Sequence, residues 1–279
     1  MMKLKISELL KAYDAHSVMT NGKAPENPPA YQYGYVFGAA GETCTEASLE
    51  RRARSYAGAQ WQSYYTRARK WIGRRVYDCN SLMEVFYKEQ TGQSIDTKAK
   101  LNYASWCGKR SGAKADKALS GMPQMPGVAV FSGPSAAGIT HVGVLLAKHG
   151  EGPLDWYVLE ARGADYGVVK TTLKSRDFAW WGVMDKFFEY DLPAYGKSTQ
   201  KGDSGANEES GKSELLEITA AKSVYLRSGP APSFKPYGTL RRGTRVTSVG
   251  RTGDWYEVLD ARGEDGIAYI SARYAKVVS

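Results

Sequence analysis

Apolar and polar residues along the chain follow two different periods, and the change between them falls near residue 127. Before that point the spacing is helical. Residues 5–13 place Leu9 and Leu10 on a short helix. Residues 46–72 carry aromatics at helical spacing with no proline, which predicts one long helix or two. A third helix is expected to begin at Cys79, with Leu82, Val85 and Phe86 on one face and Gly92 as its C-cap. Beyond residue 127 the apolar runs are short, β-branched or aromatic, and separated by glycine-rich turns. Residues 128–131, 140–148, 156–161 and 166–173 therefore read as strands. Helices first and a run of antiparallel strands second predict an α+β domain.

The pattern breaks again from Tyr195 to Ser213, a stretch without Leu, Ile, Val, Phe or Trp and rich in Gly, Ser and charge. Such a segment cannot bury enough apolar surface to offset its ordering entropy, so it is read as a flexible linker. The expected organisation is a first domain at 1–195 with an N-terminal helical extension, a linker at 196–213 and a second domain at 214–279. The second domain reads as all-β, in three segments at 217–230, 239–259 and 266–278, and its size suits a small barrel.

Composition narrows the class. With 279 residues, 42% hydrophobic and 24% charged, the chain can build one sizeable core and one smaller one. No run of 18 apolar residues exists, so no membrane insertion is expected. The opening MMKLKISELLKAYDAHS lacks the apolar stretch of a signal peptide, and no leader is visible. The net charge of +9 is uneven: residues 1–195 carry 25 Lys and Arg against 19 Asp and Glu, and residues 212–279 carry 11 against 7. Basic surfaces attract nucleic acid, anionic lipid or anionic cell-wall polymers, and charge alone does not choose among them. No nucleic-acid motif is present, so no nucleic-acid partner is expected.

The scarce residues carry the chemistry. There are three cysteines (Cys44, Cys79, Cys107) and three histidines (His16, His141, His149), with no CxxC. That inventory predicts no disulfide framework, no metal site and no cofactor, and leaves room for one thiol served by one imidazole. Cys79 sits where a helix begins. Asp78 can cap that helix, and the positive end of the helix dipole favours a thiolate there. His141 opens a strand. A hairpin centred between Lys148 and Pro153 would put it directly opposite Glu160, whose carboxylate would fix the tautomer of the ring. His149 falls in the turn and reads as solvated, and His16 has no partner motif. Cys44 and Cys107 have no histidine near them in sequence.

Four segments in order, YDCNSL, PGVAVF, THVGVLL and YVLEARGADYGVV, resemble the NlpC-type papain-like cell-wall cysteine peptidases over roughly residues 30–190. The resemblance implies a papain-like domain with Cys79 as nucleophile, His141 as base and Glu160 as the third, orienting residue. Glu160 departs from the histidine often found at that place. YGYVFGAAGE is similar to the family's stretch before the cysteine, which implies that Tyr35 lines the site. Asp78 and Asn80 are implied substrate-binding residues, although Asn80-Ser81 replaces the usual Ser-Gly. Trp180 and Trp181 read as core rather than wall-binding aromatics. Residues 216–279 resemble bacterial SH3-type wall-binding modules through the Leu-Arg-Ser-Gly-Pro element and the Gly-Asp-Trp before a closing strand. Arg227, Arg241, Arg242 and Arg245 would suit an anionic wall polymer.

The function these resemblances imply is that of a peptidoglycan hydrolase, a cysteine endopeptidase cutting an amide bond in the stem peptide or cross-bridge, next to D-glutamate in the family's usual case. An N-acetylmuramoyl-L-alanine amidase on the same residues and a non-catalytic wall-binding protein are the alternatives. The expected partners are peptidoglycan and anionic wall polymers, met by a monomer. The expected location is the bacterial wall, reached by secretion or by release as a phage or mobile-element lysin.

Overall fold

A computed structural model describes residues 2–20, 22–95, 98–112, 114–150, 152–192, 194, 214–227, 236–252, 254–260 and 267–278. The expected linker at 196–213 and the Ser-Gly-Pro of the Leu-Arg-Ser-Gly-Pro element lie outside these residues. The chain divides into two compact units, Met1–Gly196 and Lys197–Ser279.

The first unit has four principal helices. They are α1 (Ile6–Asp14), α2 (Glu46–Ala57), α3 (Trp61–Ala68) and α4 (Ser81–Thr91). Its strands are β1 (Leu4–Lys5), β2 (Val18–Met19), β3 (Gly34–Tyr35), β4 (Ala40–Thr43), β5 (Arg75–Tyr77) and β6 (Lys109–Arg110). They continue with β7 (Ala129–Ser132), β8 (His141–Lys148), β9 (Trp156–Ala161), β10 (Val168–Thr172), β11 (Trp180–Val183) and β12 (Phe188–Glu189). The expected long helix is two, α2 and α3, divided at Gly58, whose φ of 51° no α-helix accommodates. A capping box starts α2: Thr45 Oγ1 accepts from Ser48 N, and Ser48 Oγ accepts from Thr45 N.

A seven-stranded sheet in the order β2-β10-β9-β8-β7-β11-β6 forms the centre. All its pairings are antiparallel except β2 with β10. Alternate residues supply a core on each face. Phe131, Val142, Val144, Leu159 and Trp180 pack with Leu9, Leu10, Tyr13 and Leu82 of α1 and α4. Val130, Leu145, Val158 and Trp181 pack on the other side with Leu119, Met122 and Phe178. Trp180 and Trp181 are thus core, and the strand they form is one the sequence reading left out. A smaller cluster seats α2 and α3 on the β3-β5-β4 sheet through Leu49, Ala53, Tyr64, Ala68, Trp71 and Val76.

The hairpin of β8 and β9 differs from expectation in register. Val144 faces Leu159 and Leu145 faces Val158, whereas the expected turn would place Val144 opposite Tyr157. The turn, closed by the bond from His149 N to Asp155 O, lies further toward β9 and offsets the strands by three residues at Ala147 and Lys148, and a bulge between Leu145 and Ala147 brings the offset to two at Leu145 and Val144. On the His141 side of the bulge the even offset keeps side chains on their expected face.

The second unit is a seven-stranded antiparallel sheet in which Val224, Leu226, Leu240, Tyr256, Val258, Ala268 and Ile270 form the core. Its strands alternate, as in Ser223–Arg227, where Val224 and Leu226 are buried and Tyr225 is exposed. The whole chain is therefore mixed α+β with an all-β C-terminal unit.

Candidate active site

The turn before α4 carries Cys79: the regular helix begins at Ser81, two residues after the expected start at Cys79. Asp78 organises this turn. Its Oδ1 accepts from Asn80 N at 3.1 Å and Ser81 N at 2.9 Å, while Ser81 Oγ accepts from Asp78 N at 2.8 Å. The bonding is reciprocal like that of a capping box, but it lies ahead of the helix: the N-cap of α4 is Asn80, whose side chain makes no capping bond, so the expected N-cap at Asp78 is corrected to a turn that leads into it. Burial raises the Asp78 carboxyl above its ordinary range, against the pull of those amides. At the far end Gly92 takes the left-handed conformation of a C-cap, with φ of 72°.

The turn delivers the thiol to the start of β8. Cys79 Sγ lies 3.7 Å from Thr140 O, the carbonyl of the residue before His141. The imidazole is held on its other side: Nε2 is 2.6 Å from Glu160 Oε2, which leaves Nδ1 for the thiol. Phe178 stacks on the ring, centroids 6.0 Å apart and planes 17° from parallel. Burial disfavours the charged ring, but hydrogen bonds and charge from Cys79 and Glu160 outweigh it and lift the His141 pKa to about 9.

Gly143 explains how a slipped register still joins this pair. It follows His141 by two residues on the same face. A Cβ on it would lie 2.5 Å from Val158 Cγ1, 3.2 Å from Phe178 Cζ and 3.3 Å from Glu160 Cβ. The missing side chain opens the space through which Glu160 leans along the sheet to His141.

Glu160 is sealed, with none of its side chain exposed. Besides His141 it accepts from Thr171 Oγ1 at 2.5 Å, Arg176 Nε at 2.7 Å and Arg176 Nη2 at 2.9 Å. Burial alone would raise its pKa, yet the two cations pull it down to about 2. Thr171, Arg176, Phe178 and Gly143 were not foreseen as site residues. Arg176 and Phe178 lie outside the regular elements, where no periodicity marks a side chain as inward.

Tyr35 ends β3. Strand β3 runs parallel to β5 with Tyr35 opposite Tyr77, next to the Asp78–Cys79 turn. Burial raises its hydroxyl pKa well above the usual value, and the nearby Cys79, Tyr64 and Asp78 add to the rise. Asn80 does not join this surface. Its side chain is turned inward, 1% exposed, and its Oδ1 accepts from buried Asn102 at 3.1 Å. The Asn80 carbonyl is thus engaged with the interior.

The remaining candidates fall away from the site. Burial lifts the Cys44 thiol to about 11 and the Cys107 thiol to about 12. His16 stacks on Tyr33 with centroids 4.0 Å apart, and its Nδ1 is 3.0 Å from Tyr31 O. His149 is exposed in its turn beside Tyr157. Among the described residues, no three His, Cys, Asp or Glu are grouped to hold a metal ion, and no helix is long and apolar enough to cross a membrane.

Residues 222–276 match the family model of the bacterial SH3 domain. In that unit Arg241, Arg242 and Arg245 are exposed, Arg245 lies 3.9 Å from Glu217, and Arg227 lies over the ring of Tyr225. No curated protein matches the chain. Two solved structures are similar over nearly its whole length. One, described as "The crystal structure of Ly7917 with the hydrolyzing product of MDP", is 15% identical, covers 98% of each chain and gives a TM-score of 0.23. The other, "The crystal structure of Ly7917", is 13% identical, covers 98% of this chain and 97% of that one, and gives 0.26. TM-scores this low carry no structural argument.

Proposed function

We propose that this chain is a peptidoglycan hydrolase, a cysteine endopeptidase that cuts an amide bond in the stem peptide or cross-bridge. The observation that carries the reading is the line Cys79–His141–Glu160, a thiol in the turn before α4 next to the start of β8, where an imidazole is fixed by a sealed carboxylate. A thiol just ahead of a helix and a base on an antiparallel sheet support the papain-like reading. The bacterial SH3 domain and the exposed arginines support the wall as the place of action.

In this mechanism His141, whose pKa is raised, takes the proton of the Cys79 thiol as the sulfur attacks. Cys79 Sγ bonds to the amide carbonyl carbon, and the carbonyl oxygen becomes the tetrahedral oxyanion. The imidazolium then gives its proton to the departing amine as the C–N bond breaks. Water, losing a proton to His141, attacks the thioester, and the acid leaves as Cys79 is restored. Tyr35 and Asp78 flank the thiol on the side where substrate would enter. The sequence resemblance makes the bond next to D-glutamate the first to examine.

Purified walls test the reading through loss of turbidity and analysis of the released ends. The wild type should clear walls and expose new amino and carboxyl groups of the peptide, and Cys79→Ala should do neither. Clearing by both proteins would remove the thiol mechanism. Release of lactyl-linked sugar free of peptide would make the enzyme an amidase. Binding without clearing by the wild type would leave a wall-binding protein. Deleting residues 212–279 should weaken wall binding, and unchanged binding would take the targeting role from that unit.

A further inference from the structure

Glu160 is held by more than its histidine needs. A carboxylate bonded only to His141 could turn about its own axis and present either oxygen. Here each oxygen has a fixed partner: Arg176 Nε and Thr171 Oγ1 on Oε1, and Arg176 Nη2 beside His141 on Oε2. A guanidinium donating one N–H to each oxygen fixes the carboxylate plane as well as its charge. The same short segment reaches the base directly, because Phe178, two residues on, stacks on the His141 ring, and Arg176 lies over Phe178 at 5.7 Å.

We infer that Arg176 is a positioning residue for the base, and that its charge sets the pH range in which the Cys79–His141 pair works. The inference rests on the proposed role of that pair. Two cations, the imidazolium and the guanidinium, share one anion that water does not reach. Each makes the other more costly to keep charged. Arg176 thereby restrains the affinity of His141 for its proton, which the bare Glu160 carboxylate would raise further. The other groups facing this pair are Tyr35 from β3 and Asp78 from the turn before α4. Both stay constant when Arg176 is changed. Thr171 contributes geometry without charge.

The test is the pH dependence of Cys79 alkylation by iodoacetamide on the full chain, with His141 followed by NMR and wall hydrolysis measured alongside. Arg176→Gln should displace the alkaline limb, which follows His141, upward by about half to one pH unit. Its hydrolysis should fall about 10- to 100-fold, more in kcat than in KM. Arg176→Lys should keep the limbs near their wild-type places and recover part of the rate. Thr171→Val should slow the reaction without displacing either limb. A slower or less stable Arg176→Gln whose limbs coincide with wild type would overturn the inference and leave Arg176 a structural residue.

Should Arg176→Gln fail to fold, Glu160→Gln and the double variant Glu160→Gln, Arg176→Gln decide, since the double leaves no buried charge unpaired. His141 should titrate higher in the double variant than in Glu160→Gln, and equal values would again overturn it. The alkylation and NMR arms need no wall substrate. If the wild type leaves walls intact while that limb still shifts, the hydrolase reading fails and the role of Arg176 stands.

Discussion

Glu160 reaches His141 across the gap that Gly143 leaves in the sheet, and the 2.6 Å bond between them exists because that position has no Cβ. Gly143→Ala should therefore damage the site without touching a reacting group. The added methyl must push Val158, Phe178 or Glu160 aside. A core overpacked in this way loses about 1–3 kcal/mol, and a displaced carboxylate should lower hydrolysis about 100-fold. Thermal melting together with wall clearing checks both. A variant that keeps full activity would show that the carboxylate does not depend on this gap.

The same pair fixes how stability varies with pH. The His141 pKa is raised from 6.5 to about 9, so its contribution is complete below 6.5 and lost as pH rises through about 9. The Glu160 pKa is lowered from 4.5 to about 2, so its contribution is present above 4.5 and lost as pH falls through about 2. The stability added by the pair should form a plateau between 4.5 and 6.5. Urea unfolding of the wild type and Glu160→Gln across that range should give a difference largest on the plateau and shrinking on both sides. A difference independent of pH would contradict the assigned ionisation.

Thiol labelling should find one cysteine out of three. Cys44 and Cys107 are 2% and 1% exposed, and burial holds their protons to about 11 and about 12. Iodoacetamide near neutral pH should add a single carbamidomethyl group to the native chain, at Cys79, and three in denaturant. Mass spectrometry reads the count and the position. Modification of Cys107 in the native chain at a comparable rate would mean that its enclosure opens readily.

Glu84 is a cost to the fold. Burial, and then the charge of Asp78, lift its pKa from 4.5 to about 7. A carboxyl with a raised folded pKa weakens the native state at every pH above its unfolded value. Glu84→Gln should therefore gain about 1–2 kcal/mol near pH 8 and nothing near pH 4. Equal effects at the two pH values would assign the gain to packing.

Much of this was legible in the sequence because it rests on local chemistry. Asp78 and Ser81 shape the turn into α4 and Gly92 closes that helix, and these local roles follow from residue type and spacing. The alternation of β8 and β9 placed His141 and Glu160 on one face, and a slip of two residues could not undo that. The direct opposition of the two did not survive, because the register belongs to the turn, and the turn depends on bonds such as His149 N to Asp155 O that spacing does not reveal. Arg176 and Phe178 were hidden for a related reason: their inward direction is set by tertiary contacts. The bond of Asn80 to Asn102, 22 residues away, is likewise a tertiary contact that spacing does not reveal.

Strand β1 lies parallel to β12, with Leu4 beside Phe188 and Lys5 beside Glu189, and Ser7 donates to both oxygens of Asp191, from N at 3.1 Å and from Oγ at 2.5 Å. Entry to the first unit and exit from it therefore meet at one seam. A linker of a few residues can join them, so this unit can be circularly permuted, with its order of elements rotated and the surroundings of Cys79 and His141 untouched.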